Sequence, residues 1–282
     1  MAELISGKIV SQKVREDIAR DVESFKAKYN RAPGLAVIMV GDNPASAVYV
    51  RNKHKACLEV GITSYQIEFD KDISEETLLN KIDELNADSN VNGILVQLPL
   101  PAHISEEKVI NRISPCKDVD AFHPENVGKI TIGNYDFLPC TPAGIVELLN
   151  YYNVEIKGKK CAVIGRSNIV GKPMALLLTE RNGTVTLCHS RTVDLPAITR
   201  EADIVVVAIG KPEFLTRDMV KEGAVIVDVG INRLPDGKLV GDVKFDEVEP
   251  VASKITPVPG GVGPMTITML LKNTLTAAEK QI

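Results

Sequence analysis

Short β-branched apolar runs alternate with longer stretches of helical periodicity along almost the whole chain. That alternation predicts βαβ units, an α/β fold in which parallel sheets carry helices on both faces. The first strands are expected at 35–41 (LAVIMVG), 64–69 (SYQIEF) and 93–100 (GILVQLPL), with helices near 6–29, 44–60 and 74–88. A second series at 159–165 (KKCAVIG), 184–190 (TVTLCHS), 203–210 (DIVVVAIG) and 224–230 (AVIVDVG) predicts a separate sheet. Pro139 and Pro142 punctuate the chain between the two series, before a helix starting near Thr141. Residues 1–140 are therefore expected to form one domain and 141–264 another. The last segment, 265–282, has helical period and no strand of its own to cover, so it is expected to cross back and complete the first domain.

At 282 residues the chain has room for two domains of ordinary size. A composition of 44% hydrophobic and 25% charged residues is that of a soluble globular protein and excludes a disordered chain. The formal net charge of −4, without a long Lys/Arg cluster, argues against a nucleic-acid partner. Apolar runs fall well short of the ~20 residues of a membrane span, and Glu3 and Lys8 interrupt any signal-peptide core. A cytoplasmic protein with no membrane partner is expected. Five widely spaced cysteines without a CxxC pair read as buried or idle thiols in a reducing compartment, and four histidines without HxH or HxxxH spacing suggest no metal.

The strand KKCAVIG runs straight into RSNIVGKPMALLL, a turn and helix with Gly165 and Gly171 at either end of the turn. Glycines there let a backbone approach a pyrophosphate at the positive end of a helix. The match to GxGxxG is loose, because Ser167 stands where a second glycine is expected. On this turn alone, a plain strand-to-helix connection is an equal reading. The next strand shifts the balance. About 25 residues past Gly165, where NAD enzymes place an acidic residue on the ribose hydroxyls, the strand end offers Ser190, Arg191 and Thr192. A hydroxyl and a guanidinium suit a 2′-phosphate, and Arg166 adds a second cation. NADP is thus favoured over NAD, against the view of Arg166 and Arg191 as merely exposed charges. After the strand end DVG, Ile231 could border the nicotinamide.

Within SAVYVRNKHKACLEV (46–60), Arg51, Lys53 and Lys55 crowd into one short stretch. At about 100° per residue, Ser46, Tyr49, Val50, Lys53, Ala56, Cys57 and Val60 share one helix face, with Arg51, Asn52, Lys55 and Glu59 on the other. Lys53 lies on the face expected to be buried. Burial lowers a lysine's pKa toward the range useful to a general acid/base; for a lone lysine, snorkelling from the core edge is the commoner case. Gln97 stands at the carboxyl end of an apolar strand, where open α/β sheets bind ligands. A neutral amide there can orient a lysine without locking it in the charged form, and a satisfied core glutamine is the equal alternative. In PCKDVDAFHPENVG, one carboxylate of Asp118 and Asp120 could accept two hydrogen bonds from an amidine-like ligand edge. Turn capping is the other role, and it suits Asp118 better than Asp120.

YVRNK, VQLPLP, KDVDAFHPENVG, GRSNIVGKP, CHSRT, DVGIN and TPVPGGVGPMT occur in this order along the chain. In order and spacing they resemble the bifunctional methylenetetrahydrofolate dehydrogenase/methenyltetrahydrofolate cyclohydrolase family over essentially all residues. The resemblance implies oxidation of 5,10-methylenetetrahydrofolate with NADP, then hydrolysis of the methenyl product to 10-formyltetrahydrofolate. It also implies a parallel-sheet folate-binding catalytic domain, a Rossmann-like NADP-binding domain, a catalytic cleft between them, and a homodimer. Carried over by motif, Lys53 is the acid/base of the hydrolytic step, Gln97 tunes it, Tyr49 stacks on the folate, and Asp120 holds the pterin's amino and ring N–H groups. Val96 and Leu98 flank Gln97 at the substrate, and Pro259, Gly260 and Gly261 wall a flat ligand next to the nicotinamide. Gly165, Arg166, Ser167, Ser190, Arg191 and Ile231 bind the cofactor, and no metal is called for.

One position departs from the family pattern: after KDVD, Gly-Phe is expected, and here Ala121 precedes Phe122. The added methyl restricts the loop if that residue needs positive φ. Rival readings are a dehydrogenase-only or catalytically silent homologue and a shikimate-type dehydrogenase of the same architecture. The presence of Lys53, Gln97 and Asp120 weighs against the silent homologue, and VQLPLP with PGGVGPMT against the shikimate type.

Overall fold

A computed structural model describes the backbone of residues 1–282 and every side chain except that of Ala45. The chain opens with a short strand, β1 (Glu3–Leu4), and a long helix, α1 (Gly7–Tyr29). Alternating elements follow: β2 (Gly34–Val40), α2 (Pro44–Val60), β3 (Thr63–Phe69), α3 (Glu75–Ala87), β4 (Gly93–Val96), α4 (Glu106–Arg112) and α5 (Pro124–Thr131). The second series is α6 (Cys140–Tyr151), β5 (Lys160–Ile164), α7 (Gly171–Glu180), β6 (Thr184–Cys188), α8 (Leu195–Glu201), β7 (Ile204–Val207) and β8 (Val225–Asp228). A hairpin of β9 (Asn232–Arg233) and β10 (Leu239–Val240), a turn of helix α9 (Phe245–Val248), β11 (Lys254–Ile255) and α10 (Val262–Lys280) complete it. Two compact units result: Lys13–Cys140 with Ile267–Ile282, and Met1–Gln12 with Thr141–Thr266.

In the first unit, three parallel strands run in the order β3-β2-β4. Central β2 is buried at all seven positions, as a continuous apolar run flanked on both sides requires, whereas edge strand β3 is half exposed. Helices α3 and α4 pack Leu78, Ile82, Leu85 and Val109 onto Ile38, Ile94 and Val96. Each such fully buried aliphatic side chain contributes about 1.5–3 kcal/mol. Ser74 starts α3 by accepting from the Thr77 N–H, with Glu75 and Glu76 in the first turn. Strand β4 stops at Val96 rather than running to residue 100. Gln97 N still bonds to Ile38 O at 2.8 Å, but Pro99 and Pro101 beyond it have no N–H to continue a ladder.

The second unit has a six-stranded, wholly parallel sheet in the order β1-β11-β8-β7-β5-β6. From β5 the chain winds first to β6 on one side and then to β7 on the other. The strand order therefore reverses between β5 and β7, the point at which open α/β sheets leave a crevice at their carboxyl edge. Residues 1–12 correct the sequence-based boundary, which put them in the first domain. Glu3 and Leu4 pair with Lys254 and Ile255, and Ile5 N bonds to Ile255 O at 2.8 Å, closing the edge of this sheet. Two-residue strands carry no periodicity by which a sequence could reveal such pairing. Among the described residues, no helix is long and apolar enough to cross a membrane, and no His/Cys/Asp/Glu group could hold a metal.

Candidate active site

Helix α2 buries Ser46, Val50, Lys53, Ala56, Cys57 and Val60 and exposes Arg51, Asn52, Lys55 and Glu59. Tyr49, one turn before Lys53, stands 39% exposed despite sharing the inward row. Only 8% of Lys53 is exposed, and its Nζ donates to Gln97 Oε1 at 2.9 Å. Gln97 Nε2 is engaged by the Leu98 carbonyl at 2.9 Å, which leaves the amide oxygen facing the lysine. Burial lowers the Lys53 pKa, and the negative charge of Asp120 opposes it in part. The neutral partner matters: a carboxylate in place of Gln97 would restore the ammonium.

Asp120 is partly buried, and that burial raises its pKa, with the Lys53 charge and the Cys140 thiol pulling the other way. Val96, Leu98, Asp118 and Asp120 line one small cavity of about 20 Å³. The loop that presents Asp120 is built by its neighbours. Asp118 forms a bridge with Ile94 beside β4, and its Oδ2 accepts from His123 N and Asn126 Nδ2, both at 2.8 Å. Between the two carboxylates' loop and α5, Ala121 is fully buried at φ +58°. The departure from glycine noted in the sequence is thus an alanine held in the left-handed region, a conformation that costs an L-residue roughly 1–2 kcal/mol.

Two contributors to this site escaped the sequence reading. Cys140, read only as a buried or idle thiol, is buried, with Sγ 3.5 Å from Val119 O and hydrogen-bonded to Asp120, which together with burial raises its pKa well above the ordinary thiol value. Asn273 of α10 reaches the same point, donating to Val119 O at 2.8 Å and Leu138 O at 2.9 Å. Neither spacing nor period links positions so far apart. A wider groove of about 890 Å³, lined by Asp42, Glu68, Asp70, Lys71 and Asp72 among others, has none of Tyr49, Lys53, Gln97 and Asp120 in its lining.

In the second unit, Gly165 ends β5 at φ +119°, and a Cβ there would lie 2.2 Å from Ala208 O. At Gly171 a Cβ would lie 2.0 Å from Gly165 O. Both glycines are therefore required by close backbone packing at the reversal between β5 and β7. The Ser167 hydroxyl accepts from Val170 N at 3.2 Å and Gly171 N at 3.3 Å, so it is spent on the start of α7. Arg166, Ser190 and Arg191 are exposed at the ends of neighbouring strands β5 and β6. Neither guanidinium has an ion-pair partner among the described residues. Ile231 follows β8 and is 46% exposed.

Pro259, Gly260 and Gly261 belong to this unit, not to the one holding Lys53. Gly260, at φ +107°, accepts from Lys8 N at 3.2 Å, and a Cβ on Gly7 would lie 1.7 Å from Gly261 O. Also unforeseen is a buried pair, Asp228 and Asp242, that ties the loops at this edge together. Asp228 accepts from Gly230, Asp242 and Val243 N–H groups, each at 2.9 Å, and Asp242 accepts from Ile209 N at 2.7 Å and Gly210 N at 2.9 Å. Burial pushes Asp228 up to about 7 against the pull of its three donors. The signal available was an Asp within two residues of a Gly after an apolar run, in VDVG and again in VGDV.

Residues 5–120 match the family described as tetrahydrofolate dehydrogenase/cyclohydrolase, catalytic domain, and residues 139–282 its NAD(P)-binding domain. The bifunctional protein FolD of Acetivibrio thermocellus is 59% identical over 280 residues, covering 99% of this chain and 98% of that one. The crystal structure of the bifunctional methylenetetrahydrofolate dehydrogenase/cyclohydrolase FolD from Campylobacter jejuni shares 50% identity, with all of both chains covered and a TM-score of 0.98. The Trypanosoma brucei enzyme, solved with NADP cofactor and inhibitor, shares 40% identity over 99% of this chain and 98% of that one, with a TM-score of 0.95. This chain belongs to the tetrahydrofolate dehydrogenase/cyclohydrolase family.

Proposed function

We propose that the protein oxidises 5,10-methylenetetrahydrofolate to 5,10-methenyltetrahydrofolate with NADP and then hydrolyses that product to 10-formyltetrahydrofolate. The observation that carries the hydrolytic half is Lys53, a buried amine held at 2.9 Å by a neutral amide oxygen. A lysine with a lowered pKa can take a proton from water as the oxygen adds to the methenyl carbon. It can then return a proton to the pterin nitrogen as the ring C–N bond breaks, leaving the carbon as a formyl group on the other nitrogen and releasing one proton overall. Gln97 keeps Nζ aimed without fixing its charge. Asp120 receives the pterin's amino and ring N–H groups, Val96 and Leu98 wall the ring, and exposed Tyr49 stacks on it.

The folate site is assigned to residues 13–140 with α10, and the NADP site to residues 141–266. The donor set of the latter fits an anionic dinucleotide. Gly165 and Gly171 leave no room for a Cβ beside the α7 N-terminus, and two unpaired guanidinium groups stand at adjoining strand ends. Gly165 and the backbone of Arg166 and Ser167 would take the pyrophosphate, and Arg166, Ser190 and Arg191 the 2′-phosphate. Ile231 would border the nicotinamide, with Pro259, Gly260 and Gly261 as a stiff wall for a flat ligand. NADP, when bound, supplies the hydride acceptor. A homodimer is the assembly expected, checked by sedimentation.

The test is to mix the purified protein with 5,10-methylenetetrahydrofolate and NADP or NAD, following reduced cofactor and the methenyl intermediate by absorbance. NADPH formation with little accumulated methenylfolate, and a formyl product on chromatography, is the expected result. Methenylfolate disappearing no faster than its spontaneous hydrolysis would leave a dehydrogenase alone.

A further inference from the structure

Strand β6 ends at Cys188, and the chain then turns sharply toward the N-cap of α8, Asp194. Three hydrogen bonds shape that turn. Thr192 N bonds to His189 O at 2.9 Å, His189 N to Thr192 Oγ1 at 2.8 Å, and Arg191 N to His189 Nδ1 at 3.1 Å. The last has a counterpart at His123, whose Nδ1 accepts from Glu125 N at 3.1 Å. A side-chain acceptor capturing the N–H two residues on is the geometry of an Asx turn, ordinarily made by Asn or Asp, and here an imidazole makes it. Because Nδ1 accepts, the ring must carry its proton on Nε2.

We infer that His189 is a positioning residue for coenzyme choice: its ring builds the turn that presents Ser190 and Arg191 to the 2′-phosphate of NADP. The inference rests on the cofactor reading above. Ser190 and Arg191 are the two central residues of the turn, both exposed, and the bond from Gly165 N to Cys188 O at 2.9 Å ties its base to the strand end that carries Arg166. A long, mobile side chain such as Arg191 binds a phosphate better when its backbone is already ordered, since less freedom is lost on binding. The choice of histidine also fits the ligand. Asp would make the same turn but set a negative charge beside the phosphate, whereas imidazole accepts the N–H without bringing a carboxylate there. NAD lacks the phosphate, so its affinity should not depend on residue 189.

The test is calorimetric titration of NADP and NAD into the full-length protein and its variants, alongside melting curves. His189→Ala should weaken NADP roughly tenfold, the scale of one charge-assisted contact made poorly, with NAD binding unchanged. His189→Asn, whose Oδ1 can accept the same N–H, should restore NADP binding to within about threefold of wild type; His189→Asp should rebuild the turn yet bind NADP no better than the alanine variant. A His189→Ala protein that loses NADP and NAD alike, or neither, overturns the inference. Arg191→Ala separates the two claims. If it narrows the NADP preference while His189→Ala does not, only the positioning role falls; if wild type shows no preference, or Arg191→Ala leaves it intact, the 2′-phosphate reading falls and His189's role with it.

Discussion

The two units place their chemistry on opposite kinds of scaffold. In the unit of Lys53, the polar groups sit within the fold: the lysine is 8% exposed, its amide partner ends a buried strand, and Cys140 and Asn273 lie beneath Asp120. Burial there tunes proton affinity, lowering it for Lys53 and raising it for Asp120. In the unit of Gly165, the candidate contacts are backbone at close approach and exposed cations on turns, with buried carboxylates only tying loops together. A site that moves protons needs low dielectric; a site that recognises an anion needs reachable donors and fixed backbone.

Lys53→Met should break the contrast most severely, lowering ring opening by about 10²–10⁴-fold, the usual contribution of a positioned acid/base, while NADP binding is retained. Full hydrolytic activity in that variant would remove Lys53 from the mechanism. Next in size is Gly165→Ala, whose Cβ is driven to 2.2 Å from Ala208 O. It should cost about 1–3 kcal/mol of stability and abolish tight NADP binding, with hydrolysis of supplied methenyltetrahydrofolate surviving at temperatures below the lowered melting point. A wild-type Kd for NADP would show that the turn can yield.

Gln97→Glu sharpens the proton side. Hydrolysis by the wild type should rise with pH through the folded pKa of Lys53, which lies below the ordinary 10.5, and level off above it as the free amine becomes fully populated. A carboxylate at 97 stabilises the ammonium, so the rise should move to higher pH and the neutral-pH rate fall by roughly tenfold, the value of one pKa unit. An unmoved profile would mean another group titrates. Ala121→Gly is the mildest. Relief of the left-handed strain is offset by a lost buried methyl and a more flexible unfolded chain, so the net change should stay within about 1 kcal/mol. A larger shift in melting or in folate KM would show that the methyl itself shapes the Asp120 loop.

By itself the sequence determined the two sheets, the inward face of α2 with Lys53 at its centre, the turn between Gly165 and Gly171, and Asp118 as the better placed of the two carboxylates to cap its own turn. These are local matters, decided by residue periods and by backbone requirements within a few positions. Folding in three dimensions decided which distant groups meet: Gln97 as the acceptor for Lys53, Asn273 and Cys140 under the Asp120 loop, β1 at the edge of the second sheet, and Asp242 holding Ile209 and Gly210. It also decided that Ala121 is left-handed, that Ser167 is engaged in its own turn, and that His189 holds Arg191. Partners of this sort leave no period to read, because a side chain finds its acceptor across the packed interior rather than along the chain, and burial then obliges the pairing.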